Sequence, residues 1–111
     1  MSDIEKLIDG WRKSVKEYAE AKAKADYLKE FRKSQKAILI NDASTKGFKT
    51  AQEREAYAYS HQDYITLLDG LKAATEVSEE LRWRMEIARA RVEVWRTKCA
   101  NNRKEQQMYG A

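Results

Sequence analysis

Proline is absent from this chain, and only four glycines, Gly10, Gly47, Gly70 and Gly110, interrupt its 111 residues. These two residue types are the main punctuation of a backbone, so their scarcity argues against a turn-rich fold and predicts few, long elements. A single cysteine, Cys99, excludes a disulfide within the chain and fits a reducing compartment. The one histidine, His61, lies far from Cys99, which leaves no set of about four Cys or His ligands for structural zinc. We read His61 as a helix-start or surface residue and Cys99 as core packing. Neither glycine-rich phosphate loop occurs, and the adjacent acids Glu79 and Glu80 look like solvated helix surface. No catalytic residue, metal or cofactor is expected, and the protein is read as a non-enzyme. No apolar run approaches the roughly 20 residues that span a bilayer. The opening Met-Ser-Asp-Ile-Glu has no signal-peptide core. The expectation is a cytoplasmic protein (of a host bacterium if phage-encoded) with no membrane partner.

Charged residues are plentiful, at 36% of the chain, and alanine, glutamate, lysine and arginine dominate. That composition belongs to long helices and coiled coils. Ser2-Asp3-Ile4-Glu5 fits a capping box at a helix start. Apolar residues then fall at Ile4, Leu7, Ile8, Trp11, Val15, Tyr18, Ala21, Ala25, Leu28, Ile38 and Leu39, mostly in steps of three and four. Arg32 and Gln35 interrupt the stripe. A helix is predicted over about 3–41. "NDASTKGFKT", residues 41–50, collects turn formers and predicts a loop over about 42–50. It ends in Thr50-Ala51-Gln52-Glu53, a second capping box.

Helix resumes over about 51–107, either continuous or broken near "YSHQD" (59–63), with Ser60 as the cap of the last segment and Asp63 as its capping-box acid. With Tyr64 at heptad position a, position a continues as Leu71, Ser78, Met85, Val92 and Cys99. Position d is then Leu67, Ala74, Leu81, Ala88, Trp95 and Asn102, and only Ser78 and Asn102 spoil the seam. One loop between two long helices predicts a single all-α domain over 1–111. Its simplest form is a long, coiled-coil-like antiparallel hairpin, and 51–60 is a candidate short extra helix at the tip. The unequal helix lengths predict about 12 Å of the last helix without an intrachain partner, or about 27 Å if 51–107 is continuous.

Charge is segregated along the chain. Residues 1–50 carry 12 basic and 8 acidic side chains, 51–81 carry 2 and 7, and 82–111 carry 8 and 3. The formal net charge of +4 conceals this. Such asymmetry suggests either a polyanion site or a head-to-tail contact between unlike segments. Arg82, Arg89, Arg96 and Arg103 recur every seven residues at position e, and Arg84, Arg91 and Lys98 at position g. One reading pairs these rows with acids of the facing helix, with Asp3, Glu5, Asp9, Glu17 and Glu20 as candidates. The other gives them to phosphates. Lys29, Arg32, Lys33 and Lys36 on the first helix, with Lys46 and Lys49 around Phe48, form a second basic patch. Cations beside a ring are what a single-strand groove needs, because charges track phosphates while the ring stacks on a base.

Trp83, Ile87, Ala90 and Val94 fall at f and c, off the seam. A line of exposed apolar side chains needs a cover, and self-association is the economical one. Trp11 and Tyr18 are candidates to join that contact.

Three stretches in order carry a family likeness. They are "LKEFRKSQKAILI" after a Tyr- and Trp-bearing helix, a polar Gly-containing loop, and "YITLLDGLKAATEVSEELRW" continuing basic to the end. The layout resembles the small UvsY-type recombination mediators of T-even-like phages. "RVEVWRTKCANNR" is similar to segments of other short helical proteins of tailed phages. The mediator likeness implies a ring-forming helical protein that binds single-stranded DNA. It also implies help in loading a recombinase onto DNA coated by single-strand binding protein. The family's DNA role falls on Lys29, Arg32, Lys33 and Lys36, whereas the arginine ladder from 82 to 103 departs from the family pattern. Two functions stand at this point: an oligomeric single-stranded DNA binder in phage recombination or replication, and a helical adaptor, assembly protein or host-enzyme inhibitor working through protein contacts alone.

Overall fold

The computed structural model describes residues 1–109. The fold is all-α, a long antiparallel helical hairpin with a short helix between its arms: α1 (Asp3–Thr45), α2 (Ala51–Ser60) and α3 (Gln62–Tyr109). Packing divides the chain into two units, one joining Met1–Ala19 to the chain from Glu79 onward, the other comprising Glu20–Ser78.

Helix α1 begins where Ser2 Oγ accepts the Glu5 amide at 3.3 Å. It runs four residues past the predicted end. The polar run Asn41–Thr45 stays helical because Ala43 is buried and Asp42 accepts the Tyr57 hydroxyl. The stop is a Schellman motif. Phe48 N–H donates to Ala43 O at 3.2 Å and Gly47 N–H to Ser44 O at 3.2 Å, with Gly47 at φ 93°. A left-handed φ of that size costs glycine nothing and any other residue strain.

Thr50 caps α2 as its sequence predicts, but the return bond of the box goes to the residue before the cap. Thr50 Oγ1 accepts the Glu53 amide at 3.1 Å, and the Glu53 carboxylate accepts the Lys49 amide at 3.2 Å. The chain breaks at His61, which decides between the continuous and the broken alternative in favour of the break near 59–63, but the cap is a different residue. Ser60 is the last residue of α2 and donates its hydroxyl back to Ala56 O at 2.7 Å. The His61 ring performs the capping: its Nδ1 accepts the Asp63 amide at 3.0 Å. Around this break Leu39, Ala58 and Tyr64 form a buried cluster with Ile40 and Tyr57 against it.

The α3 seam is where the heptad places it. Tyr64, Ala74, Ser78 and Val92 are buried, and Leu67, Leu71, Leu81, Met85, Ala88, Trp95 and Cys99 are half-buried. Ser78 belongs to this seam and does not spoil it. Counting two heptads along each helix from the Leu39 and Tyr64 cluster brings Ala25 opposite Ser78, so two small residues share one layer. Asn102 is exposed, as is every described residue from 101 on. About 14 Å of helix there has no neighbour along any face.

The α1 seam departs from the apolar stripe. Ile4, Leu7, Trp11, Ser14, Tyr18, Ala21, Ala25, Leu28, Arg32, Gln35, Leu39 and Asp42 are half-buried or buried in alternating steps of three and four, and Glu17, Lys36, Ile40 and Ala43 widen that stripe beside them. Ile8, Val15 and Ile38 face outward instead. Staying against a heptad partner requires an average step of 3.5, and that geometry overrides side-chain polarity. Arg32 and Gln35 fit because a long aliphatic stem lies along the seam while its polar head reaches water.

Candidate nucleic-acid interface

The arginines of row e bring their own acids. Arg82 pairs with Glu79 at 3.0 Å, Arg89 with Glu86 at 3.1 Å and Arg96 with Glu93 at 3.7 Å, each acid three residues earlier on α3. The sequence therefore contains a Glu-x-x-Arg unit repeated every seven residues. In row g, Arg84 pairs with Glu80 at 3.0 Å. Arg91, Lys98 and Arg103 make no ion pair among the described residues. The acids of α1 are not the partners of either row. Asp9 lies 3.9 Å from Arg12 and Glu17 lies 3.9 Å from Lys13, both on α1 itself. Exposed pairs at these spacings stabilise a helix by only about 0.2–0.5 kcal/mol each. The rows do not zip the hairpin together.

Row e is also straight and open. Seven residues advance a helix by about 10.5 Å, so its guanidinium groups stand at that interval along one face. At its start the Arg82 guanidinium lies 4.6 Å from the Trp83 ring centroid, and Trp83 is 57% exposed. A cation stacked on an exposed indole offers one flat face and one charge side by side.

The basic patch of α1 is largely occupied by structural contacts. Arg32 sits half-buried on the seam. Lys33 pairs with Glu30 at 3.3 Å on its own helix. Lys36 lies 3.9 Å from Glu55 and 4.8 Å from the Tyr59 ring centroid, tying α1 to α2. Lys46 donates to Tyr57 Oη at 2.8 Å and lies 3.4 Å from Asp42. The hydrogen bond from Tyr57, then the charge of Lys46, hold the Asp42 carboxyl below its ordinary range. The same Tyr57 contact, then Asp42, raise Lys46. Phe48 rests against Tyr57 with ring centroids 5.3 Å apart. Lys29 and Lys49 are the exposed members without an ion pair among the described residues. Within the α1 group, Lys36 and Lys46 thus belong to the α1–α2 joint, Arg32 to the seam and Lys33 to an ion pair along its own helix.

The second stripe is exposed, with Ile87 and Val94 each at 53%. Both residues wall an open groove of about 610 Å³ together with Leu7, Ala90 and Trp95, with Lys6, Arg91, Lys98 and the acid Asp3 also lining it. The groove continues past Gly10, Ser14 and Ala88 toward Arg84. Trp11 and Tyr18 are not on this outer face but half-buried on the seam of α1. No protein-family profile, characterised protein or solved structure matches the chain. Among the described residues no group of three or more His, Cys, Asp or Glu is placed to hold a metal ion. No described helix is long and apolar enough to cross a membrane.

The acid partners within α3 were the feature that reasoning from the sequence missed. The signal was present, because Arg82, Arg89 and Arg96 at e each follow a glutamate at b by three residues.

Proposed function

We propose that this is a non-enzymatic helical protein that binds single-stranded DNA along the row-e flank of α3 and works as an oligomer. The setting is phage recombination or replication, as the mediator likeness implies, with a recombinase or single-strand binding protein as further partners. One observation carries the reading: the evenly spaced Arg89, Arg96 and Arg103 are exposed, the half-buried Arg82 at the head of the row stacks on an exposed tryptophan, and every ion pair of that row lies within α3. The hairpin does not need these arginines for its closure. Weak exposed pairs orient the guanidinium groups and yield to a phosphate, which takes two donors from each. Contacts of this kind are tolerant of sequence and depend steeply on salt.

The test is fluorescence anisotropy with labelled oligo(dT) across about 50–200 mM salt. Four engaged phosphates give a slope of log affinity against log salt of about −3. The variant R82E/R89E/R96E is expected to lose binding while keeping its helical circular dichroism. Loss of helicity would show that the arginines hold the fold, and no binding by the wild type at the lowest salt would end the DNA reading. The apolar groove favours a second reading, an adaptor, assembly or inhibitor protein acting through protein contacts alone, and that outcome would leave it standing.

A further inference from the structure

The groove between the start of α1 and the later part of α3 has apolar walls and a basic rim. Leu7, Ile87, Ala90, Val94 and Trp95 supply the walls, and Lys6, Arg91 and Lys98, with the single acid Asp3, the rim. A Cβ built on Gly10 along its continuation meets nothing within 4 Å, so the space above the backbone is open. Among the described residues none of the three rim cations has an acid partner. An amphipathic helix with acids flanking a narrow apolar strip is the occupant such a groove selects.

The chain carries that helix itself. On α3, Asp69, Ala73, Glu76 and Val77 share one exposed face, and Val77 is 50% exposed. Gly70 lies beside them, and a Cβ built there also meets nothing within 4 Å. Asp69 and Glu76 have no ion pair among the described residues. They stand seven residues apart, as do Arg91 and Lys98, so the two unpaired acids and the two unpaired cations share a spacing of about 10.5 Å. Opposite unpaired charges at matched spacing, each beside exposed apolar side chains, fit one another.

We propose that the groove of one copy receives the Asp69–Val77 face of α3 from a second copy. Arg91 and Lys98 of one chain then meet Asp69 and Glu76 of the other, and Ile87 and Val94 cover Ala73 and Val77. Each chain offers one groove and one acidic face, so association closes as a two-fold pair or continues as a ring. This inference rests on the oligomer part of the proposed function and names the surfaces that make it.

The experiment is light scattering on the full chain at tens of micromolar, without nucleic acid. The wild type is expected above one chain's mass. R91E/K98E and D69K/E76K are each expected to be helical monomers, since each variant presents two like-charged surfaces to itself. Mixed together they present opposite charges at both contacts and are expected to associate, and the chain carrying all four substitutions is expected to recover self-association. A monomeric wild type would overturn the proposal. So would variants that keep the wild-type mass, or a mixture of helical monomers that stays monomeric. Binding of oligo(dT) by a monomer through Arg91 and Lys98 would make the groove a nucleic-acid site and overturn it too. The DNA reading fails separately: R82E/R89E/R96E probes it and leaves both surfaces of this contact intact.

Discussion

His61 begins α3 with a ring nitrogen where most helices use a hydroxyl or carboxylate. Its Nδ1 satisfies the Asp63 amide, one of the donors that a helix start leaves unpaired. Ser60 was the residue expected to cap because of its hydroxyl, but it lies one position early, inside α2. Replacing His61 by Ala is expected to cost about 1 kcal/mol in urea unfolding, and His61→Asp to keep most of the wild-type stability. Asp42 makes a second prediction at this scale. Its folded pKa is lowered, by Tyr57 first and Lys46 next. A lowered carboxyl pKa stabilises the fold above the ordinary aspartate range, and the contribution is lost as pH falls through the lowered value. Asp42→Asn is therefore expected to be less stable than wild type at neutral pH. Urea midpoints measured down the acid range should converge.

At the scale of the helix, register decides what a side chain does. Ser78 is polar and buried, whereas Ile38 is apolar and 57% exposed. Ser78→Leu overfills the layer it shares with Ala25 and is expected to cost about 1–3 kcal/mol. Ile38→Ser is expected to change stability by no more than about 0.5 kcal/mol. Thermal unfolding of the two variants tests the assignment directly. The α3 register was legible in sequence because its apolar residues hold a heptad from Tyr64 to Cys99. That of α1 was only partly legible. Ile8, Val15 and Ile38 mimic seam residues, while Ser14, Arg32 and Gln35 occupy seam positions that only the partner helix defines. The end of α1 was hidden for a related reason: Asn41–Thr45 reads as loop by composition, but Gly47 and the Asp42–Tyr57 contact fix the stop later. The candidate site divided the same way. The arginine rows and the outward Trp83, Ile87 and Val94 were visible as spacing. The tying of Lys36 and Lys46 into the α1–α2 joint depends on α2 folding back on α1, which no local pattern states.

For the whole molecule, the formal charge of +4 describes the interaction surface poorly. Each Glu-x-x-Arg unit of α3 is neutral as a whole, so most of the ladder is a line of small dipoles. A dipole's field falls off faster with distance than that of a free charge, and salt screens what remains within about 10 Å. A polyanion approaching this flank is therefore steered little until it arrives, and the guanidinium groups act only at contact. Association with oligo(dT) is expected to be slower, and less sensitive to salt, than for a flank whose arginines all lack acid partners, because only Arg91, Lys98 and Arg103 act there as unpaired charges. The larger part of the salt dependence of affinity should appear in the dissociation rate. Stopped-flow measurements at low and moderate salt separate the two, and Glu86→Gln, which frees Arg89, should raise the association rate and make it more salt-sensitive. The ladder would hold a strand that has reached it without drawing in every polyanion in its surroundings.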